Sequence, residues 1–297
     1  MRYRPLGDAT GSVSAVTLQL DAAVAASGQQ NIRQLLDAAL DEGINSFHID
    51  SLDPTLIRTT GAALSQLDRE LLHVALTVGP LPNGRRDFSV EGLKAVLDAV
   101  LKATGLQYIN TVVLDDPSES ELPSLSLKYL EEEPRIRRLG IRGTTPVMDI
   151  YIRSGRFEAV FTPCHVQLNS HQRSWLRTAR EMHLIVFGTE YYPQQLLSPE
   201  PGVTAPPPAK GLFGLPRKRQ TAEVPSNPFL FLHTTPGWEA EDLCLANALL
   251  DPSLSGVVIR ATNVERLQRL ARTCERDMPV SLPAQLEMAR VAAIRAA

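Results

Sequence analysis

Lysine is scarce in this chain: of 30 basic residues only five are lysines, at positions 94, 102, 128, 210 and 218. Arginine-favouring codons would explain the total, but the positions matter more, because a missing ammonium excludes any mechanism that needs one. Cysteine is sparse as well. Cys164, Cys244 and Cys274 share no short metal-binding spacing and leave an odd thiol, which excludes a disulfide framework and suits a reducing cytoplasm. Apolar runs such as Asn110 to Leu114 fall far short of the roughly 20 residues of a membrane span. The opening Met1-Arg2-Tyr3-Arg4 runs into a polar turn and not an apolar signal core, so a cytoplasmic protein is expected. A net charge of −3 gives no electrostatic reason to expect nucleic acid. A Gly-rich phosphate loop, a Cys-x-x-Cys pair and a nucleophile elbow are also missing.

What is present is a regular alternation. The segment from Tyr3 through Gly7 and Gly11 to Val16 reads as a short hairpin. Helical spacing of apolar residues then marks 32–40, 57–64, 90–104, 125–133, 147–154, 172–182, 239–250, 264–274 and 283–296. Between them, short apolar runs predict strands at 44–49, 72–78, 110–114, 138–141, 159–161, 184–187 and 256–259. Strands alternating with helices predict βαβ units on a parallel sheet. About eight such units in 297 residues favour closure into a (β/α)8 TIM barrel, which needs roughly 250 residues. The expectation is a single barrel over 1–297, preceded by the N-terminal hairpin. One segment breaks the rhythm: residues 199–228 hold eight of the 22 prolines, including Pro206-Pro207-Pro208, and the basic Arg217-Lys218-Arg219. It reads as a Pro-rich loop inserted over the barrel mouth, either solvated or acting as a lid.

The order of these segments resembles the aldo/keto reductase family across nearly the whole chain. Met1-x-Tyr3-x-x-Leu6-Gly7 followed by Val13-Ser14-Ala15 is similar to the family's opening hairpin. Ala38 to Phe47 is similar to its first helix–strand junction, and Arg135 to Ile141 to the run into its fourth barrel strand. Val166-Gln167-Leu168-Asn169 matches the next strand end. Ser255 to Leu267 is similar to the segment that grips the cofactor's adenosine phosphate. The resemblance implies a (β/α)8 barrel, NADPH at the C-terminal mouth, and carbonyl reduction by an Asp, Tyr, Lys, His tetrad. In that chemistry a tyrosine protonates the carbonyl oxygen. Its ordinary pKa near 10 is too high for easy exchange at neutral pH, so a neighbouring ammonium must lower it.

All four tetrad positions differ here. His48 stands where the resemblance places the aspartate, Asp53 where it places the tyrosine, Thr77 the lysine and Asp115 the histidine. No lysine or tyrosine occurs between 48 and 93, so the tetrad is lost and not shifted. The implied cofactor site is altered too. Arg142-Gly143 replaces the family's Ser-Asn pair, Thr17 and Gln19 replace glycines of the first repeat, and Arg260 replaces a close-approach glycine. Gln167, Asn169, Arg260, Thr262 and Asn263 are the residues left to hold a cofactor. Arginine can also pair a phosphate, which leaves NADPH binding open although none is expected.

In such a barrel the strand C-termini build the active site. These ends carry His48-Ile49-Asp50, Asp115-Asp116, Arg142, His165, Gln167, Asn169 and Glu190, with Tyr191 and Tyr192 as the only tyrosines at the mouth. The leading expectation is a catalytically degenerate aldo/keto reductase-like protein acting as a binding or regulatory subunit, with a protein partner or as a homo-oligomer. One alternative is a divergent NADP-dependent oxidoreductase acting on a carbonyl. A second is metal or acid–base chemistry from the His and Asp residues of the mouth, although no stringent metal spacing is present.

Overall fold

The computed structural model describes residues 1–6, 11–193 and 228–296. Tyr3–Pro5 (β1) pairs antiparallel with Ser12–Ser14 (β2), forming the hairpin. Its Leu6 and Val13 pack into the barrel interior against Ala159 and Ile185. The expected hairpin ran on into Val16, and that is a correction: Val16–Leu20 (β3) is a separate, fully buried strand and the first stave of the barrel. In β2 only Ser12 is exposed and Val13 faces the barrel interior, whereas Val16, Leu18 and Leu20 face the helices, so one run serves two elements.

The remaining staves are Ser46–Ile49 (β4), His73–Val78 (β5), Thr111–Asp115 (β6), Leu139–Arg142 (β7), Ala159–Pro163 (β8), Ile185–Thr189 (β9) and Gly256–Ile259 (β10). They close in the order β10-β3-β4-β5-β6-β7-β8-β9, every pair parallel. The chain is therefore a (β/α)8 TIM barrel with an N-terminal β-hairpin.

Helices return the chain between staves. Gln29–Asp41 (α2), after the short Ala22–Ala26 (α1), leads to β4, and Pro54–Leu64 (α3) leads to β5. Val90–Thr104 (α4), Ser124–Glu132 (α5), Met148–Arg153 (α6), Ser170–Glu181 (α7) and Ala240–Leu249 (α8) complete the alternation. Val264–Thr273 (α9) and Leu282–Ala296 (α10) close the chain. In α4 the apolar Leu93, Leu97, Val100 and Leu101 recur at helical spacing on the buried face, Ser89 caps the start and left-handed Gly105 stops the end.

Strand period two decides what faces inward. On β4, Phe47 and Ile49 belong to the large core under the helices, so Ser46 and His48 point into the barrel. On β5, Val74, Leu76 and Val78 face the helices, leaving His73, Ala75 and Thr77 inside. The Pro-rich 199–228 loop lies outside the described residues except for Pro228.

Candidate functional site at the barrel mouth

The barrel interior is filled in layers. At its base Thr17 Oγ1 and Ser46 Oγ lie 2.8 Å apart, Ser46 Oγ lies 3.1 Å from His73 Nδ1, and His73 Nε2 lies 3.1 Å from Thr111 Oγ1. Burial lowers the His73 pKa to about 3, so the ring is neutral. Above it Phe187 stacks on Phe161 at 4.7 Å, with His73 5.2 Å from Phe187 and His48 5.0 Å from Phe161. His48 and Phe161 line a cavity of about 920 Å³ at the strand C-termini, with Phe187 and His73 packed beneath them.

An ion-pair cluster lines the same cavity. Arg142, the last residue of β7, donates from Nη1 to Asp50 at 2.9 Å and from Nε to Asp115, at the end of β6, at 2.7 Å. Gln19 donates to the other oxygen of Asp50, and Arg260 Nε donates to Gln19 Oε1 at 3.0 Å. Inward positions of β3, β4, β6, β7 and the end of β10 are thus joined around one guanidinium. Burial pulls Arg142 down, but the hydrogen bond to Asp115 and the charge of Asp50 outweigh it and hold the pKa above the usual arginine value. Burial pushes Asp50 up, and the charge and hydrogen bond of Arg142 outweigh that, so its pKa is lowered. His48 is fully buried, bonded through Nε2 to Thr77 Oγ1 at 2.8 Å. Burial, against the pull of Asp50, lowers its pKa to about 4.

A second cluster closes the side of the mouth. Glu241, in the first turn of α8, accepts from Tyr191 Oη at 2.8 Å, from Arg266 at 2.6 Å and from Arg269 at 2.8 Å. Asp242 accepts from Arg269, and burial raises its pKa to about 6 despite that partner. The Tyr191 pKa is raised well above its ordinary value by burial, then by Glu241. Burial pushes Tyr192 up to about 12. Two cavity-lining residues, Asp116 and Glu190, hold left-handed backbone at φ 45° and 50°, a conformation costly for residues with a Cβ.

The sequence-expected residues divide clearly. His48, Asp115, Arg142, His165, Gln167, Glu190 and Arg260 line the cavity, and Thr77 is bonded to His48 beneath it. Asp53 does not join them: its carboxylate caps α3, accepting from the backbone N–H of Thr55 at 2.9 Å and of Leu56 at 2.8 Å. Asn169 is not a strand end either, since β8 stops at Pro163 and Asn169 caps α7 in a capping box with Gln172. Asn263 caps α9, and the Thr262 carbonyl accepts from Asn31; neither lines the cavity. Lys94 and Lys102 lie on α4 and Lys128 on α5, while Lys210 and Lys218 fall outside the described residues. The Glu241–Arg266 pair was missed because its members are far apart in sequence on two helices. No group of three or more His, Cys, Asp or Glu that could hold a metal ion occurs among the described residues.

A closed eight-stranded parallel barrel with a plugging hairpin and a polar C-terminal mouth is the architecture of the aldo-keto reductases. Solved structures agree with that class. The aldo-keto reductase AKR11C1 from Bacillus halodurans, in its holo form, superimposes with a TM-score of 0.77 at 18% identity, covering 97% of this chain and 96% of that one. The glycerol dehydrogenase AKR11B4 from Gluconobacter oxydans gives a TM-score of 0.73 at 16% identity, covering 99% and 95%. Neither a protein-family model nor a curated protein sequence matches the chain. The chain therefore has the aldo-keto reductase fold.

Proposed function

We propose that this is an aldo-keto reductase-like protein that does not reduce carbonyls and works as a binding or regulatory subunit in the cytoplasm, with a protein partner or a second copy of itself. One observation carries the reading: Arg142, standing with Gly143 where the resemblance puts a Ser-Asn pair, is clasped between Asp50 and Asp115, while Thr77 at the ammonium's position bonds His48 and Asp53 at the tyrosine's position caps a helix. The tyrosines of the mouth cannot substitute. Tyr191 donates its proton to Glu241 and is driven above its ordinary pKa, opposite to what an acid catalyst needs. No described lysine lines the cavity.

The residues present also fit a nicotinamide dinucleotide poorly. Arg266 and Arg269, the α9 cations nearest the implied phosphate grip, both serve Glu241, and three of the five expected cofactor contacts are helix caps or backbone partners outside the cavity. The second reading, a divergent NADP-dependent oxidoreductase, draws support from the fold likeness and from Gln167 and Arg260, which do line the mouth. NADPH fluorescence titration separates the two. The expected outcome is no change up to millimolar cofactor and no carbonyl-dependent NADPH oxidation. Saturable quenching with turnover would establish the oxidoreductase.

A further inference from the structure

A second cavity, of about 640 Å³, opens at the end of the barrel opposite the mouth. Its walls are β1, the turn from α7 into β9 and the turn from α8 into β10. Most of the lining is apolar, with Pro5, Leu184, Leu249 and Pro252 among its residues. Leu250, also in the lining, is 56% exposed, a large apolar side chain that the fold leaves uncovered. The charged part of the lining is Arg4 from β1 and Arg180 from α7, and among the described residues no carboxylate lines it. His183 follows α7 with left-handed backbone at φ 55°, where glycine is usual, so an imidazole is kept at the cavity wall at a conformational cost. An apolar hollow of this size with a few convergent polar groups is the ordinary form of a small-molecule site.

The charges around the cavity specify its ligand. Arg4 donates only to main-chain carbonyls: from Nη1 to Asp251 at 2.9 Å and Leu254 at 2.6 Å, and from Nη2 to Leu249. Carbonyls supply dipoles and not charge, so this guanidinium keeps its positive charge unbalanced. The Asp251 carboxylate acts on it electrostatically but is already bonded to Arg180 and to the Ser253 hydroxyl. Arg2 adds charge of the same sign as Arg4, and Glu275 is held by the N-terminal ammonium. Burial pushes the Cys274 thiol up to about 12, which keeps it neutral. Glu181, at the end of α7, does not line the cavity. The lining therefore keeps one positive charge in excess. A neutral ligand would leave that charge unmatched, and a dianion would bring more charge than the lining balances. We propose that this cavity binds a small apolar monocarboxylate. Its carboxylate pairs with N–H groups that Arg4 and Arg180 do not spend on the protein, and its chain covers Leu249 and Leu250. The site is separate from the mouth and stands independently of the function proposed above.

Calorimetry and leucine-methyl NMR on the full chain test it, with hexanoate, hexan-1-ol, acetate and inorganic phosphate as probes. Hexanoate is expected to bind saturably and to move the methyl resonances of Leu249 and Leu250. Hexan-1-ol and acetate should bind roughly tenfold more weakly or worse, since one lacks the charge-assisted hydrogen bonds and the other the apolar chain. Leu250→Asp, at an exposed position, should abolish hexanoate binding, and Leu250→Met should keep it. Arg180→Gln should weaken hexanoate by roughly tenfold and leave hexan-1-ol unchanged. Circular dichroism of each variant checks that the barrel is folded. A silent hexanoate titration, or equal affinity for hexanoate and hexan-1-ol, overturns the proposal. So does phosphate binding more tightly than hexanoate, or hexanoate binding that survives both Leu250→Asp and Arg180→Gln. A peptide with a C-terminal leucine carboxylate that outbinds hexanoate would assign the cavity to a protein terminus and overturn the small acid.

Discussion

Arg142 ties together carboxylates from two other staves of the mouth. It is 22% exposed, and Asp50 and Asp115 are 12% and 23% exposed, so all three charges are largely withdrawn from water. Removing only the cation leaves two carboxylates facing each other with no counter-charge. Arg142→Met is expected to cost about 2–4 kcal/mol of stability in urea denaturation, the cost of breaking a mostly buried pair from one side. Adding Asp50→Asn and Asp115→Asn to that variant should recover most of the loss, because the uncompensated charges then disappear. Recovery failing would mean that Arg142 acts through packing and not charge. Period two along β4 and β7 already aimed these side chains inward. Their pairing needed the barrel, because Asp50, Asp115 and Arg142 come from three different staves.

Helix starts account for three of the sequence-expected residues that do not line the cavity. A strand end and the next helix's cap lie within a few residues of each other after β4, β8 and β10, and Asp and Asn suit both places. Asp53, Asn169 and Asn263 all proved to be caps, each accepting backbone N–H groups of the following turn. The usable signal was present: Pro54 follows Asp53 at the first helical position, and Gln172 stands three residues after Asn169, both marks of a helix start. Asp53→Ala should therefore cost about 1 kcal/mol of stability, with Asp53→Asn close to neutral. Thermal denaturation of the two variants decides it. An unchanged Asp53→Ala protein would argue that the cap is not what the residue supplies.

For the whole molecule, buried titrating groups set the response to acid. His48 and His73 have folded pKa values of about 4 and about 3, below their unfolded value of 6.5. Between these limits the unfolded chain binds two protons that the folded chain refuses, so stability falls as pH falls. Asp242 works in the opposite sense, because its folded pKa of about 6 lies above its unfolded 3.8 and the folded state takes the proton first. Two protons against one leaves the unfolded state about one proton richer. Stability should thus drop by about 1.4 kcal/mol per unit from pH 6 to pH 5. Urea denaturation at the two pH values measures it, and His73→Asn should remove most of the slope. A flat wild-type profile would show that these imidazoles are not held neutral.

Much of this fold was legible in the chain. Apolar residues at period 3.6 marked the helices from 90–104 to 264–274, and short apolar runs marked seven of the eight staves, because burial on both faces leaves no polar alternation to blur them. The stave at Val16–Leu20 escaped because it adjoins β2 with only Ala15 between them, and local pattern cannot say where one sheet ends and another begins. The absence of lysine and tyrosine between 48 and 93 was equally plain, since an absent residue needs no coordinates. Sequence by itself determined the alternation and the barrel. Only the tertiary structure decided which groups meet at the mouth: Arg142 between Asp50 and Asp115, Glu241 on Arg266 and Arg269, and a buried His48 Nδ1 with no hydrogen-bond partner among the described residues. These partners lie on different staves and helices, and charge pairing and proton direction exist only once closure of the barrel brings them within hydrogen-bond distance.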